Sequence, residues 1–180
     1  MEAQLKNGQK ASIRLLNDND TQKLFSYLSS LSSETKSRFS PHSFDWQTVE
    51  NICTNLDDVM RYVALEAAGE IIAYMLFKQG MIEWDGKRYA ERNQYFIYHT
   101  TVTYAPSVAD GWQNSGLGTM MHRQIESVLK SKGIQHIILW GGVQVANERA
   151  MNFYKKLGYL LMGSFRHNEM DNQDMMKQLE

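Results

Sequence analysis

The chain reads as one α/β (α+β) domain whose sheet is mixed but mainly antiparallel, with six or seven strands flanked by helices. Three observations carry that reading. The 180 residues, 43% hydrophobic and 22% charged, suit a single globular domain, residues 1–180, with a sizeable core. Strand-like apolar runs alternate with stretches whose apolar residues recur at helical spacing. Glycines fall at the junctions, most densely in Gln113-Asn114-Ser115-Gly116-Leu117-Gly118 and at Gly141-Gly142.

Residues 11–16 predict the opening strand, and Asp18 or Asp20 is expected to cap the helix after it, where Leu24, Tyr27, Leu28 and Leu31 share a face. A second helix is expected over residues 45–55, with Trp46, Val49, Ile52 and Cys53 on one side and Pro41 as the break before it. Residues 61–65 and 71–77 predict an antiparallel hairpin about Ala68-Gly69-Glu70. The polar stretch 80–93 holds an Asp85-Gly86 pair, which predicts an outward extension of that hairpin.

Residues 95–109 predict a long central strand in which Pro106 demands a bulge or a missing ladder bond. A helix over 117–132 buries Leu117, Met121, Ile125 and Val128 and ends at Gly133. A buried strand at 134–140 follows. Asn147 then opens a helix that Gly158 stops, and strands at 159–165 and 173–179 close the chain.

Charge and composition exclude several function classes. A formal net charge of −1, with acids and bases interleaved, lacks the basic footprint that nucleic acid or an anionic membrane requires. No stretch approaches the roughly 18 apolar residues of a membrane-spanning helix. The lone Cys53 cannot close an intramolecular disulfide, and the start Met1-Glu2-Ala3-Gln4-Leu5-Lys6 lacks the apolar run of a signal peptide. The expected location is the cytoplasm. No metal is expected.

Chemistry concentrates in two places. Gln113 to Gly118 is a short turn whose glycines let backbone N–H groups crowd around an anion at a helix N-terminus, as a pyrophosphate needs. The same glycines also suit close packing of a helix on a strand. Further on, the helix opened by Asn147 places the Tyr154 phenol two turns later on one face. Tyr154 is either a proton donor to a leaving thiolate or a core aromatic with its hydroxyl at the surface, like Phe153 beside it. Gly141-Gly142 marks either a bend or room for a thioester.

Order and spacing over most of the chain resemble the GNAT superfamily of acyl-CoA-dependent N-acyltransferases. Gln113, Gly116 and Gly118 match that family's phosphate turn, and Asn147, Ala150, Tyr154, Gly158 and Tyr159 match its later helix, with tyrosine at the last place where phenylalanine is usual. The resemblance implies a sheet splayed between the central strand and the strand ending at Trp140. Acetyl-CoA, the co-substrate, would be wedged in that gap. Val108 would pair with the pantetheine amides, and the N–H groups of Gln113, Asn114, Ser115, Gly116, Leu117, Gly118 and Thr119 would hold the pyrophosphate. Side-chain replacement at Asn114 or Ser115 is therefore expected to matter little. Asn147 is expected to join helix capping with a hydrogen bond to pantetheine. A homodimer is a family-level expectation.

The implied reaction is direct acetyl transfer to an amine of a small molecule or peptide, with Tyr154 as general acid. A lysine-like amine is only about one part in a thousand neutral near pH 7, a cost of about 4 kcal/mol. Relatives often carry a glutamate base on the central strand, where this chain has Val102 between Thr101 and Thr103. His99 on the same strand titrates in the right range and is the side-chain candidate, with a water relay as the other route. The acceptor pocket is expected from residues 33–55 and 80–93, with Trp46, Trp84 and Trp112 as apolar lining or core. An acyl-CoA sensor on the same fold would keep the glycine turn without needing Tyr154.

Overall fold

The computed structural model describes residues 2–5, 8–39, 41–55 and 58–179, so Met1 and Lys6 of the polar start lie outside it. The chain clusters into two units: Met1–Leu76 with Ala105–Ile125, and Phe77–Tyr104 with Glu126–Glu180. Strands β4 (Ile71–Gln79) and β5 (Thr101–Val108) and helix α5 (Leu117–Ser131) run from one unit into the other.

In the first unit β1 (Glu2–Gln4), β2 (Lys10–Leu15) and β3 (Val59–Leu65) pair antiparallel in sequence, with Ala3 opposite Ala11 and Ile13 opposite Ala64. Alternation in β2 buries Ala11 and Ile13 and turns Ser12 outward. The turn between β3 and β4 closes through Glu66 N–H on Glu70 O, with Gly69 at φ +83. Helix α1 (Thr21–Ser30) buries Leu24, Tyr27 and Leu28 as its spacing predicts. Asp20 stands at its N-cap position as expected but makes no side-chain capping bond there: Asn17 caps a 3-10 turn over Asp18–Asp20, and Asp20 turns its carboxylate back to Asn17 N–H and to Arg14. Helix α3 (Trp46–Thr54) is capped by Asp45, which accepts from Thr48 N–H at 2.9 Å. The short helix α2 (Ser33–Ser37) carries no apolar period and was not foreseen.

In the second unit β6 (His136–Leu139) lies parallel to β5, and β9 (Met170–Gln178) pairs antiparallel with β6, with β7 (Val143–Gln144) and with β8 (Leu160–His167). Helix α6 (Glu148–Lys156) leads into β8. The hydrogen-bonded strand order is β1-β2-β3-β4-β5-β6-β9-β7, with β8 on β9. Among the described residues the sheet has nine strands, the expected six or seven and the short β1 and β7, which are too brief to show a period. The β5–β6 pairing stops at Tyr104 opposite Leu139, while β5 continues to Val108.

Two expectations are corrected. Residues 80–93 extend no hairpin: helix α4 (Glu83–Glu91) lies there, with Asp85 and Tyr89 both fully buried. A glycine inside a helix costs about 1 kcal/mol, which burial of Tyr89 and the pairing of Asp85 with Arg88 outweigh. The central strand starts at Thr101 rather than Tyr95, behind a 3-10 turn over Tyr98–Thr100.

Pro106 needs no bulge. From Gly80 N–H on Thr101 O to Ala109 N–H on Ile72 O, both strands advance the same eight residues. Backbone groups alternate sides along a strand. Thr101 and Ala109 face β4, so Pro106 turns its hydrogen-less nitrogen to the other edge, past the end of the β6 pairing. No described helix is long and apolar enough to cross a membrane.

Candidate active site

The glycine turn enters α5 through two left-handed residues. Asn114 at φ 63 and Gly116 at φ 89 both adopt the left-handed conformation, with Ser115 between them. Ser115 Oγ donates to Trp112 O at 2.6 Å and accepts from Leu117 N–H at 3.3 Å, so this side chain braces the turn. A helix leaves its first N–H groups without intrahelical acceptors. Leu117 N–H is taken by Ser115 and Met120 N–H reaches Gly116 O at 3.0 Å, while the N–H groups of Gly118 and Thr119 have no acceptor among the described residues. That arrangement fits a pyrophosphate at a positive helix end. Leu117 is fully buried and contributes packing with its amide.

Gln113 lies just before this turn, but its side chain points away from it. Its Nε2 reaches Val108 O at 3.2 Å, Asp110 Oδ1 at 3.3 Å and Thr35 Oγ1 at 3.4 Å. Asp110 sits in a 3-10 turn over Asp110–Trp112, and its carboxylate also accepts from Ser32 and Thr35. These donors hold the carboxyl below its usual range, the Thr35 hydroxyl most strongly. The sequence carried no signal for this cluster, because Ser32 and Asp110 are 78 positions apart.

In the second unit Asn147 caps α6, its Oδ1 accepting from Ala150 N–H at 3.2 Å. Tyr154 joins an aromatic stack: its ring lies 5.3 Å from Tyr159 and edge-on to Tyr104 at 6.4 Å, while Tyr104 stacks on Phe77 at 4.6 Å. Its exposure is 8%, against 1% for Tyr104 and 3% for Tyr159. The Tyr154 ring is therefore packed in the core. Burial pushes its phenol well above the ordinary 10, so it is protonated at neutral pH.

Gly141 and Gly142, at φ 64 and 68, turn the chain away at the end of β6. A Cβ on Gly142 would meet Gln173 O at 2.7 Å, so close packing as well as conformation requires glycine there. The turn is tied to α4: Asp85 Oδ2 accepts Gly141 N–H at 3.1 Å. Arg88 pairs with Asp85 and Asp174, Arg92 pairs with Asp174, and the Arg88 guanidinium lies 3.8 Å over the Phe165 ring. Burial raises the Asp85 carboxyl despite the Gly141 and Arg88 hydrogen bonds.

The base candidates are placed differently from expectation. His99 is off the strand, exposed in the 3-10 turn with its ring edge-on to Tyr98 at 5.2 Å. Val102 is fully buried, and Thr103 Oγ1 donates to Gly80 O at 2.8 Å. Of the tryptophans, Trp84 is 74% exposed on α4 and Trp46 is 43% exposed, edge-on to Phe25 at 5.4 Å, so neither is core. A histidine not singled out from the sequence, His42, lies among Phe39, Phe44 and Tyr74 with ring centroids 5.6 to 6.2 Å away. Its Nδ1 is 2.8 Å from Ser43 O, and its buried Nε2 has no hydrogen-bond partner among the described residues. The aromatic spacing in Phe39-x-x-His42-x-Phe44 was the available signal.

The GNAT acetyltransferase family model matches residues 25–159. The chain belongs to that family, and it is an acyltransferase enzyme that carries out acetyl transfer. Among solved structures, the GNAT domain of S. lividans PAT is 21% identical, with a TM-score of 0.78, covering 99% of this chain and 96% of its own. The ribosomal-protein-S5-alanine acetyltransferase from Vibrio fischeri is 12% identical, with a TM-score of 0.75 and coverage of 99% and 96%. An aminoglycoside acetyltransferase in complex with coenzyme A is 17% identical, with a TM-score of 0.66 and coverage of 93% and 94%. A comparison with curated proteins finds no match.

Proposed function

We propose that this protein, acting as one domain, transfers an acetyl group from acetyl-CoA to a primary amine of a small molecule or peptide in a ternary complex. The observation that carries the reading is the turn at Asn114 and Gly116, which leaves the Gly118 and Thr119 N–H groups for a pyrophosphate. The end of β5 at Val108 offers backbone groups to the pantetheine arm, and Asn147, whose Oδ1 caps α6, offers its amide nitrogen. The named acceptors of two similar structures, an aminoglycoside and a ribosomal-protein alanine, support an amine as the acceptor class.

The amine nitrogen attacks the thioester carbonyl, forming C–N, and collapse of the tetrahedral intermediate breaks C–S. The departing thiolate takes the Tyr154 proton. Dry surroundings that raise the phenol also raise the proton affinity of the thiolate, which keeps donor and acceptor matched. The proton lost by the amine leaves through water and re-protonates the phenolate. Exposed His99 is the side-chain alternative, and His99→Ala then lowers turnover while coenzyme affinity stays intact.

Thiol release with acetyl-CoA and a panel of polyamines, amino acids, amino sugars and peptides, beside calorimetric coenzyme binding, tests the proposal. Turnover with one class supports it and names the acceptor. Tight binding without turnover on every class favours a sensor, and no binding removes the coenzyme site.

A further inference from the structure

We infer that Asp110 and Gln113 form a positioning relay through which coenzyme bound at the end of β5 orders helix α2. The inference rests on the coenzyme site proposed above. The Asp110 carboxylate accepts Ser32 N–H at 2.8 Å, Ser32 Oγ at 2.9 Å and Thr35 Oγ1 at 2.6 Å. Ser32 is the N-cap of α2 and Thr35 lies within it, so one side chain between β5 and the glycine turn anchors the start of α2.

Gln113 makes the relay responsive. Its amide nitrogen carries two hydrogens but serves three acceptors, Val108 O, Asp110 Oδ1 and Thr35 Oγ1, at 3.2, 3.3 and 3.4 Å. All three contacts are at or beyond the long end of N–H···O distances, as expected of a shared donor. Val108 O is also the group offered to the pantetheine arm. An amide N–H arriving there from the coenzyme competes with Gln113 Nε2. Gln113 is then left with two hydrogens for two acceptors, Asp110 and Thr35, and both contacts tighten on α2.

Helix α2 is a suitable responder because, between the buried Leu31 and Phe39 that anchor its two ends, its own residues stay out of the core. It has five residues, none buried, and such segments open at small free-energy cost. By linkage, anything that orders α2 raises coenzyme affinity by the factor with which coenzyme orders α2.

Amide exchange of Lys36, Arg38 and Phe39, which bond to Ser32 O, Thr35 O and Lys36 O, reads the ordering directly. Saturating coenzyme A should slow these amides about fivefold, the lower end of typical site-to-site coupling. In Asp110→Ala the slowing disappears, and calorimetric affinity for coenzyme A falls by no more than that factor. Thr35→Val removes only the hydroxyl and decides the matter if Asp110→Ala fails to fold; it too should lose most of the slowing. Unchanged exchange in wild type with coenzyme A demonstrably bound overturns the relay, as does full slowing in Thr35→Val. No binding of coenzyme A to wild type overturns the coenzyme site itself, and the relay falls with it.

Discussion

Asp85 Oδ2 accepts the backbone N–H of Gly141 at 3.1 Å, so a fully buried carboxylate on α4 holds the turn at which the chain leaves β6. Its other oxygen is held by Arg88, which also binds Asp174. Two buried carboxylates and two guanidinium groups balance in charge, and each depends on the others for solvation.

Removing one member should therefore cost more than a surface pair would. Arg88→Met keeps the stem over Phe165 but strands Asp85 and leaves Asp174 with Arg92 alone. A loss of about 3 kcal/mol is expected for breaking a buried pair one-sidedly. Urea unfolding followed by circular dichroism measures it, and a loss below 1 kcal/mol, typical of an exposed pair, is incompatible with the network described.

Gly116→Val places a β-branched side chain at φ 89, where an L residue pays about 1–2 kcal/mol and the approach to the N–H groups narrows. Calorimetric affinity for coenzyme A should fall about a hundredfold or more, equivalent to about 3 kcal/mol. Unchanged affinity rejects this turn as the phosphate site.

Tyr154→Phe keeps the ring packed against Tyr104 and Tyr159 and removes only the hydroxyl. Turnover should drop by about tenfold or more with coenzyme binding retained. Because burial raises the phenol above 10, the wild-type rate should show no loss from its ionisation between pH 7 and 9. Wild-type turnover in the variant removes the general-acid assignment.

Burial lowers the His42 imidazole below its ordinary 6.5, outweighing the Ser43 carbonyl; Arg61 adds to the lowering and Asp45 opposes it. The unfolded chain then binds a proton that the folded ring resists, so this residue erodes stability as pH falls below about 6.5. His136 is lowered by burial too and shares the trend. His42→Phe should lose less stability than wild type between pH 7 and pH 5, read as a shallower fall in Tm. Parallel slopes in the two proteins contradict this account.

What was legible from residues alone followed local rules. The apolar period of α5 and its stop at Gly133, the Asn147 cap, and the left-handed glycine of the phosphate turn depend on neighbours a few positions away. Helix α4 was misread because Asp85-Gly86 is a hairpin dipeptide by local preference. The partners that override it are Gly141, 56 positions from Asp85, and Asp174, 86 positions from Arg88. His99 was misplaced because a run of aromatic and β-branched residues does not mark where pairing starts.

The sequence by itself determined the family, the order of the major elements and the two motifs, since periodicity, capping and glycine placement act over one or two helical turns. Only the tertiary structure decided where side chains such as Asp85, Asp110, Gln113 and His42 point. Each takes its place from groups brought close by the fold, and for the fully buried Asp85 the reason is that a carboxylate left unpaired there costs more than accepting the partners folding supplies.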